Sequence, residues 1–212
     1  MADITHPAKF SDPVLAQVSK FLPSGALVLD PFAGMGLIHS LSHVKTIGVE
    51  IEPEWASVHP NTIIGDALTL PFPDSTFDAI ATSPVYGNRM SDSFEAKDKS
   101  RRITYRHCLG RSLHLNNSGQ LQWGPKYKEF HIQAWKEATR VLKPEGRFIL
   151  NVSDHIRKGS IKAVSIWHVA EVLKLQYRVL DWELVRTQRM RMGQNAKLRV
   201  EHENVILFQK KP

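Results

Sequence analysis

Ala26-Leu27-Val28-Leu29-Asp30-Pro31-Phe32-Ala33-Gly34-Met35-Gly36 is the stretch that decides the fold. Its first five residues read as a short apolar strand ending in a carboxylate. Pro31 has no N–H with which to continue a ladder. The two glycines let backbone approach a ligand closely. Residues 37–41 then read as a short helix. Strand, glycine-containing turn and helix make the first unit of a nucleotide-binding α/β fold, with the ligand at the carboxyl end of the strand.

Outward from that unit the pattern repeats. Lys45-Thr46-Ile47-Gly48-Val49-Glu50 predicts a second strand, whose terminal acid comes 20 residues after Asp30. That spacing suits a carboxylate receiving ribose hydroxyls, although G-M-G lacks the third glycine of a nicotinamide fingerprint. Residues 53–58 read as a short helix, and Asn61-Thr62-Ile63-Ile64 as a third strand ending at Gly65-Asp66, an acid placed to meet an adenine. Each acid alone reads as a cap or turn residue; three after three successive strands do not. The apolar run Phe77-Asp78-Ala79-Ile80-Ala81-Thr82 predicts a fourth strand, running into Ser83-Pro84-Val85-Tyr86-Gly87. On its own, S-P-x-Y is a strand-to-loop turn. Level with Asp30, Glu50 and Asp66 it presents a hydroxyl, a free carbonyl and a flat ring to the same rim.

The remainder completes an alternating α/β chain. An opening helix spans about residues 12–21, with Asp12 as its cap and Pro13 at its first position. Residues 88–125 are rich in Arg, Ser, Asn, Gly and His, with weak periodicity, and are long for a loop inside a compact domain. A helix over residues 126–142 carries Tyr127, Phe130, Ala134, Ala138 and Val141 on one stripe. A fifth strand, Arg147 to Val152, leads to Ser153-Asp154-His155, and a helix follows over 161–175. Strands over 177–185 and 204–208 have only a loop between them and should pair antiparallel. The reading is a single α/β domain over residues 1–212, a mostly parallel sheet with a C-terminal antiparallel hairpin and helices on both faces.

Composition narrows the function. The 212 residues, 42% hydrophobic and 23% charged, are ordinary for a globular protein. No apolar run approaches the ~20 residues that span a bilayer, and the N-terminus lacks a signal pattern. One cysteine, Cys108, forms neither an internal disulfide framework nor a cysteine zinc cluster. The ten histidines show no ligand spacing; His107 and His114 read as polar or phosphate-contacting. These features predict a cytoplasmic protein with no membrane partner and no metal. The net charge of +7 is unevenly spread. Residues 89–128 hold nine Lys/Arg against three Asp/Glu, and residues 186–199 hold five basic residues and no acid, so the rest of the chain is mildly acidic. Both basic segments leave the rim that bears the turns, an arrangement that favours a polyanionic partner. Arg89, Arg101, Arg102, Arg106, Arg111, Arg189, Arg191 and Arg199 are the expected nucleic-acid contacts, interleaved with Tyr105 and Trp123 for stacking.

Asp30-Pro31-Phe32-Ala33-Gly34-Met35-Gly36, Gly48-Val49-Glu50-Ile51-Glu52-Pro53 and Thr82-Ser83-Pro84-Val85-Tyr86 together resemble the class I S-adenosylmethionine-dependent methyltransferases. Among these the chain is similar to the DNA amino-methyltransferases, with their D-P-F-x-G-x-G and [DNS]-P-P-[YFW] signatures, and to small bacterial and phage DNA methylases. His6-Pro7-Ala8-Lys9-Phe10 resembles the segment that precedes the cofactor motif there. The resemblance covers about residues 5–155 and departs at Val85, where the family has a second proline. It implies S-adenosyl-L-methionine held by Asp30, Phe32, Gly34, Gly36, Glu50 and Asp66. It also implies a flipped base held by Ser83, Pro84 and Tyr86 while its exocyclic amine displaces the methyl group directly. Serine in the first position is frequent in N4-cytosine enzymes and aspartate in N6-adenine enzymes, and either amine stays open. An RNA enzyme acting on guanine N2, or a module that binds without catalysis, are the alternatives. Cys108 is not next to a proline, which disfavours C5-cytosine chemistry through a cysteine nucleophile.

Overall fold

Successive residues along a strand face opposite ways, and in the central strands here both faces are apolar and both are covered. The computed structural model describes residues 6–8, 10–91, 104–157, 159–188 and 200–212. Its main sheet holds β1 (Leu27–Asp30), β2 (Lys45–Glu50), β3 (Thr62–Ile64), β4 (Phe77–Thr82) and β5 (Leu142–Val152). After a separate hairpin of β6 (His155–Arg157) and β7 (Ser160–Lys162), the sheet is completed by β8 (Tyr177–Arg186) and β9 (His202–Lys210). The helices are α1 (Asp12–Phe21), α2 (Pro53–Ala56), α3 (Tyr105–Leu109), α4 (Pro125–Val141) and α5 (Val164–Lys174). The strand order is β3-β2-β1-β4-β5-β9-β8. The first four pairings are parallel, and β9 runs antiparallel to both β5 and β8.

On one face Leu29, Ile80, Phe148, Leu150 and Phe208 pack against Trp135, Ala138 and Val141 of α4 and Val172 of α5. On the other, Val28, Ala79, Ala81, Ile149 and Val205 pack against Val14, Val18 and Phe21 of α1. The α/β architecture with its antiparallel C-terminal pair is the one the sequence predicts. Parallel strands bring the ends of β1, β2, β3, β4 and β5 to one rim. Because β9 runs the other way, its beginning lies at that rim, with Asn204 beside Val152.

Four local expectations change. The helix expected after Gly36 is a single 3-10 turn, Leu37–Ser40. Gly36 enters it at φ 77°, where a Cβ would fall 2.6 Å from the His39 ring. Asp12 does not cap α1; it is the helix's first residue, after Ser11. Residues 161 and 162, expected in a helix, belong to β7, and α5 begins at Val164. Asp154 explains that start, since its Oδ1 accepts the Ser165 N–H at 2.8 Å. Finally, the 88–125 stretch contains α3, capped by the Thr104 side chain.

Candidate active site

Asp30 ends β1 almost without exposure, at 1%. Its Oδ1 accepts the Phe32 N–H at 3.0 Å and the Thr82 hydroxyl at 2.6 Å, joining the ends of β1 and β4. Burial raises its pKa to about 6, with both hydrogen bonds opposing the rise. Glu50 ends β2 in the same manner. It accepts the Gly34 N–H at 3.0 Å and the Glu52 N–H at 2.9 Å, so the G-M-G turn is tied to the carboxylate of the next strand. Burial brings Glu50 to about 7. Asp66 accepts the Leu68 N–H at 2.9 Å and the Asn116 amide at 2.7 Å. Asp30, Phe32, Gly34, Glu50 and Asp66 line one cavity with Ser83, Pro84 and Tyr86. Gly36 lies outside its lining and serves the turn.

Two segments remote in sequence close over that cavity. His6 meets the edge of Trp55 with ring centroids 4.3 Å apart, and Tyr105 of α3 is buried against the same tryptophan. Residues 111–117 fold onto the turn after β2. There the fully buried Glu52 receives the Arg111 guanidinium at 2.7 Å, the His114 N–H at 2.7 Å and the Asn117 amide at 2.8 Å. Arg111 also pairs with Glu54 at 2.6 Å. The expectation that Arg111 faces phosphate thus meets a different arrangement, in which its guanidinium braces the molecule's own carboxylates. Tyr105 is largely buried, its ring against His6 and Trp55 in the wall of the cavity. Trp123 packs edge-on to Trp167 beneath the Lys128 ammonium. Arg106 is half-buried on α3. Arg101, Arg102, Arg189, Arg191 and Arg199 lie outside the described residues, as does the Arg89 side chain.

At the end of β4, Ser83 Oγ is 2.9 Å from the Tyr86 hydroxyl, which donates to Glu203 Oε2 at 2.9 Å. Asn151 of β5 sits behind them, buried at 1%, its amide 3.0 Å from Ser83 Oγ, 3.0 Å from Tyr86 Oη and 2.6 Å from Glu203. The Val85 carbonyl is fixed separately. Trp135 Nε1–H donates to His168 Nδ1 at 3.0 Å, which leaves the imidazole proton on Nε2, 2.8 Å from the Tyr127 hydroxyl. That hydroxyl donates to the Val85 oxygen at 2.7 Å. Burial, aided by His131, holds the His168 pKa well below the ordinary value, so the ring is neutral. Gly87 follows at φ 63°, where a Cβ would lie 2.6 Å from the Trp123 nitrogen.

From the sequence, Asn151, Glu203, Tyr127 and His168 carry no assigned site role, and Tyr127 enters only as part of an apolar helix stripe. Two signals were present: an amide inside the apolar run Phe148-Ile149-Leu150-Asn151-Val152, and an acid at the head of the last strand just past a basic loop.

A family model described as DNA methylase, of the N6/N4 methyltransferase type, matches residues 77–212. The chain belongs to this DNA methylase family. No curated protein matches the methylase in sequence. In structure it is similar to the [4+2]-cyclase SpnF at TM-score 0.61 and 14% identity, over 94% of this chain and 81% of that one. A SAM-dependent methyltransferase from Methanosarcina mazei matches at 0.60 and 13% identity, over 92% and 97%. One from Aquifex aeolicus matches at 0.53 and 14%, over 93% and 89%. At such identities these likenesses speak for the fold. Family and fold together imply S-adenosyl-L-methionine as the cofactor. The residues fit it: buried acceptor carboxylates and apolar Phe32, Ile51 and Trp55 line the cavity, suiting hydroxyl and amine donors, a flat ring and a cationic centre. Among the described residues no cluster of His, Cys, Asp and Glu has the geometry of a metal site, and no helix is long and apolar enough to cross a membrane.

Proposed function

We propose that this methylase transfers a methyl group to an exocyclic base amine in DNA, N4 of cytosine or N6 of adenine. One observation carries the reading: the carboxylate-lined cofactor end and the Ser83-Pro84-Val85-Tyr86 turn belong to a single cavity. The cofactor supplies an electrophilic methyl on a sulfonium. In this reading Glu50 holds the ribose, Asp66 the adenine, and Asp30, Phe32 and Gly34 the methionine end, with Gly36 shaping the turn behind them. An exocyclic amine is a weak nucleophile because its lone pair is delocalised into the ring. Ser83 Oγ and the Pro84 carbonyl accept its N–H groups and help localise that lone pair, and the Tyr86 ring stacks on the base for about 1–3 kcal/mol. Holding amine and methyl in line removes most of the entropic barrier. In a duplex the base is first flipped out. Arg89, Arg101, Arg102, Arg106, Arg189, Arg191 and Arg199 would supply backbone contacts, with Arg111 bracing its own segment against Glu52 and Glu54. The family match favours DNA over RNA as acceptor.

The test is to label unmethylated DNA, tRNA and rRNA with methyl-labelled cofactor, digest to nucleosides and identify the product by mass. N4-methylcytosine or N6-methyladenine in DNA is expected, abolished by Ser83→Ala and by Tyr86→Ala. Label confined to guanine N2 of RNA would reverse the substrate class.

A further inference from the structure

The hydrogen bonds beneath the clamp run in one direction. The single proton of the Tyr86 hydroxyl goes to Glu203 Oε2, so the Ser83–Tyr86 bond has Ser83 as its donor. A serine oxygen accepts at two sites. The Asn151 amide takes one of those on Ser83 Oγ, and the other is the site for an N–H arriving from the cavity. The turn itself carries no carboxylate, since its first position is Ser83. Glu203, on the antiparallel strand β9, brings one to the same cavity.

We propose that Glu203 is the terminal acceptor of the proton shed by the target amine, delivered through Ser83 and Tyr86, with Asn151 positioning the relay. This rests on the amine methylation proposed above. As the nitrogen–carbon bond forms, the sulfur–methyl bond breaks and its electron pair stays on sulfur. The amine N–H bond breaks, its proton passes to Ser83 Oγ, the Ser83 proton to Tyr86 Oη, and the Tyr86 proton to Glu203. The sulfonium charge is lost as the carboxylate charge is neutralised, and no other reactant is needed. An aromatic amine carrying a fourth substituent is a strong acid, so a carboxylate is base enough. Asn151 touches all three oxygens of the relay and, being rigidly held within β5, fixes their spacing.

Glu203→Gln keeps an acceptor oxygen for Tyr86 while removing the base. A loss of about 100-fold in single-turnover rate is expected, within the usual range for a lost proton-transfer partner. The oligonucleotide KM and the calorimetric cofactor affinity should stay within about twofold, and Glu203→Asp should recover part of the rate. Tyr86→Phe cuts the relay midway, so adding Glu203→Gln to it should cost no further rate. Wild-type rate in Glu203→Gln, additive losses in the double variant, or cofactor binding lost along with rate would each overturn the relay. A wild-type enzyme that labels no base amine overturns both the relay and the proposed function. An amine labelled equally by wild type and Glu203→Gln overturns the relay alone.

Discussion

Glu50 accepts two backbone N–H groups, yet burial lifts its pKa from 4.5 to about 7. A ligand whose hydroxyls donate to this carboxylate binds its ionised form. Below pH 7 the free protein must therefore give up a proton to bind, and cofactor affinity should rise from pH 6 to pH 8 with net proton release. Calorimetry in buffers of different ionisation enthalpy measures that release, and an affinity flat over the interval would show that the ligand leaves Glu50 untouched. Stability has the opposite sign. A carboxyl group whose folded pKa lies above its unfolded value resists ionisation in the fold, so the ligand-free protein loses stability as pH climbs from about 4.5 towards 7. Asp30, at about 6, adds to the same trend over a lower interval.

Among the elements, α4 and α5 join β4 in holding the Ser83-Pro84-Val85-Tyr86 turn. Where a second proline would stiffen the turn, this chain has Val85, whose carbonyl is gripped by Tyr127 and, through it, by His168 and Trp135. Tyr127→Phe leaves the Val85 oxygen and His168 Nε2 buried without that partner, an expected loss of about 1–3 kcal/mol in denaturant unfolding. If the proposed assignment holds, turnover should fall while cofactor affinity stays, since Asp30, Glu50 and Asp66 are held at β1, β2 and after β3. This contact also marks where reading the sequence stops. Asp30, Glu50 and Ser83 could be placed because each ends or directly follows a strand with a visible apolar period, and parallel pairing then aligns the ends. Tyr127 appeared only as a member of an apolar stripe, because periodicity identifies the buried face of a helix but not what a hydroxyl on it meets. Glu203 depended on how far β9 extends past β5, a matter of register that composition does not encode. Arg111 and Tyr105 were legible as charge and ring, but their partners lie on α2 and the turn before it, more than 45 residues away in sequence.

Across the whole molecule, residues 104–124 are fastened to the turn after β2 by carboxylates of unequal burial. Glu52 is completely buried, whereas the Glu54 side chain is 42% exposed. Removing Glu54 takes away a surface pair worth at most about 1 kcal/mol. Removing Arg111 strips the counter-charge from a buried carboxylate, and breaking such a pair costs about 3–5 kcal/mol, less here because Arg111 is itself partly in water. Arg111→Ala should therefore lower the unfolding midpoint clearly more than Glu54→Ala, and equal shifts would mean that Glu52 contributes nothing to the fastening. The strand order has a bearing on biosynthesis as well. β9 follows both β5 and β8 in sequence, yet it lies between them in the sheet. As the polypeptide emerges from the ribosome, β5 has a bare edge and β8 has no partner until residues 202–210 are free to slide between them. The sheet therefore closes when β9 inserts, and that same strand delivers Glu203 to the rim. A nascent chain could pair β1 to β5 early, but it would acquire the acid beside Ser83 and Tyr86 only once residues 202–210 have emerged.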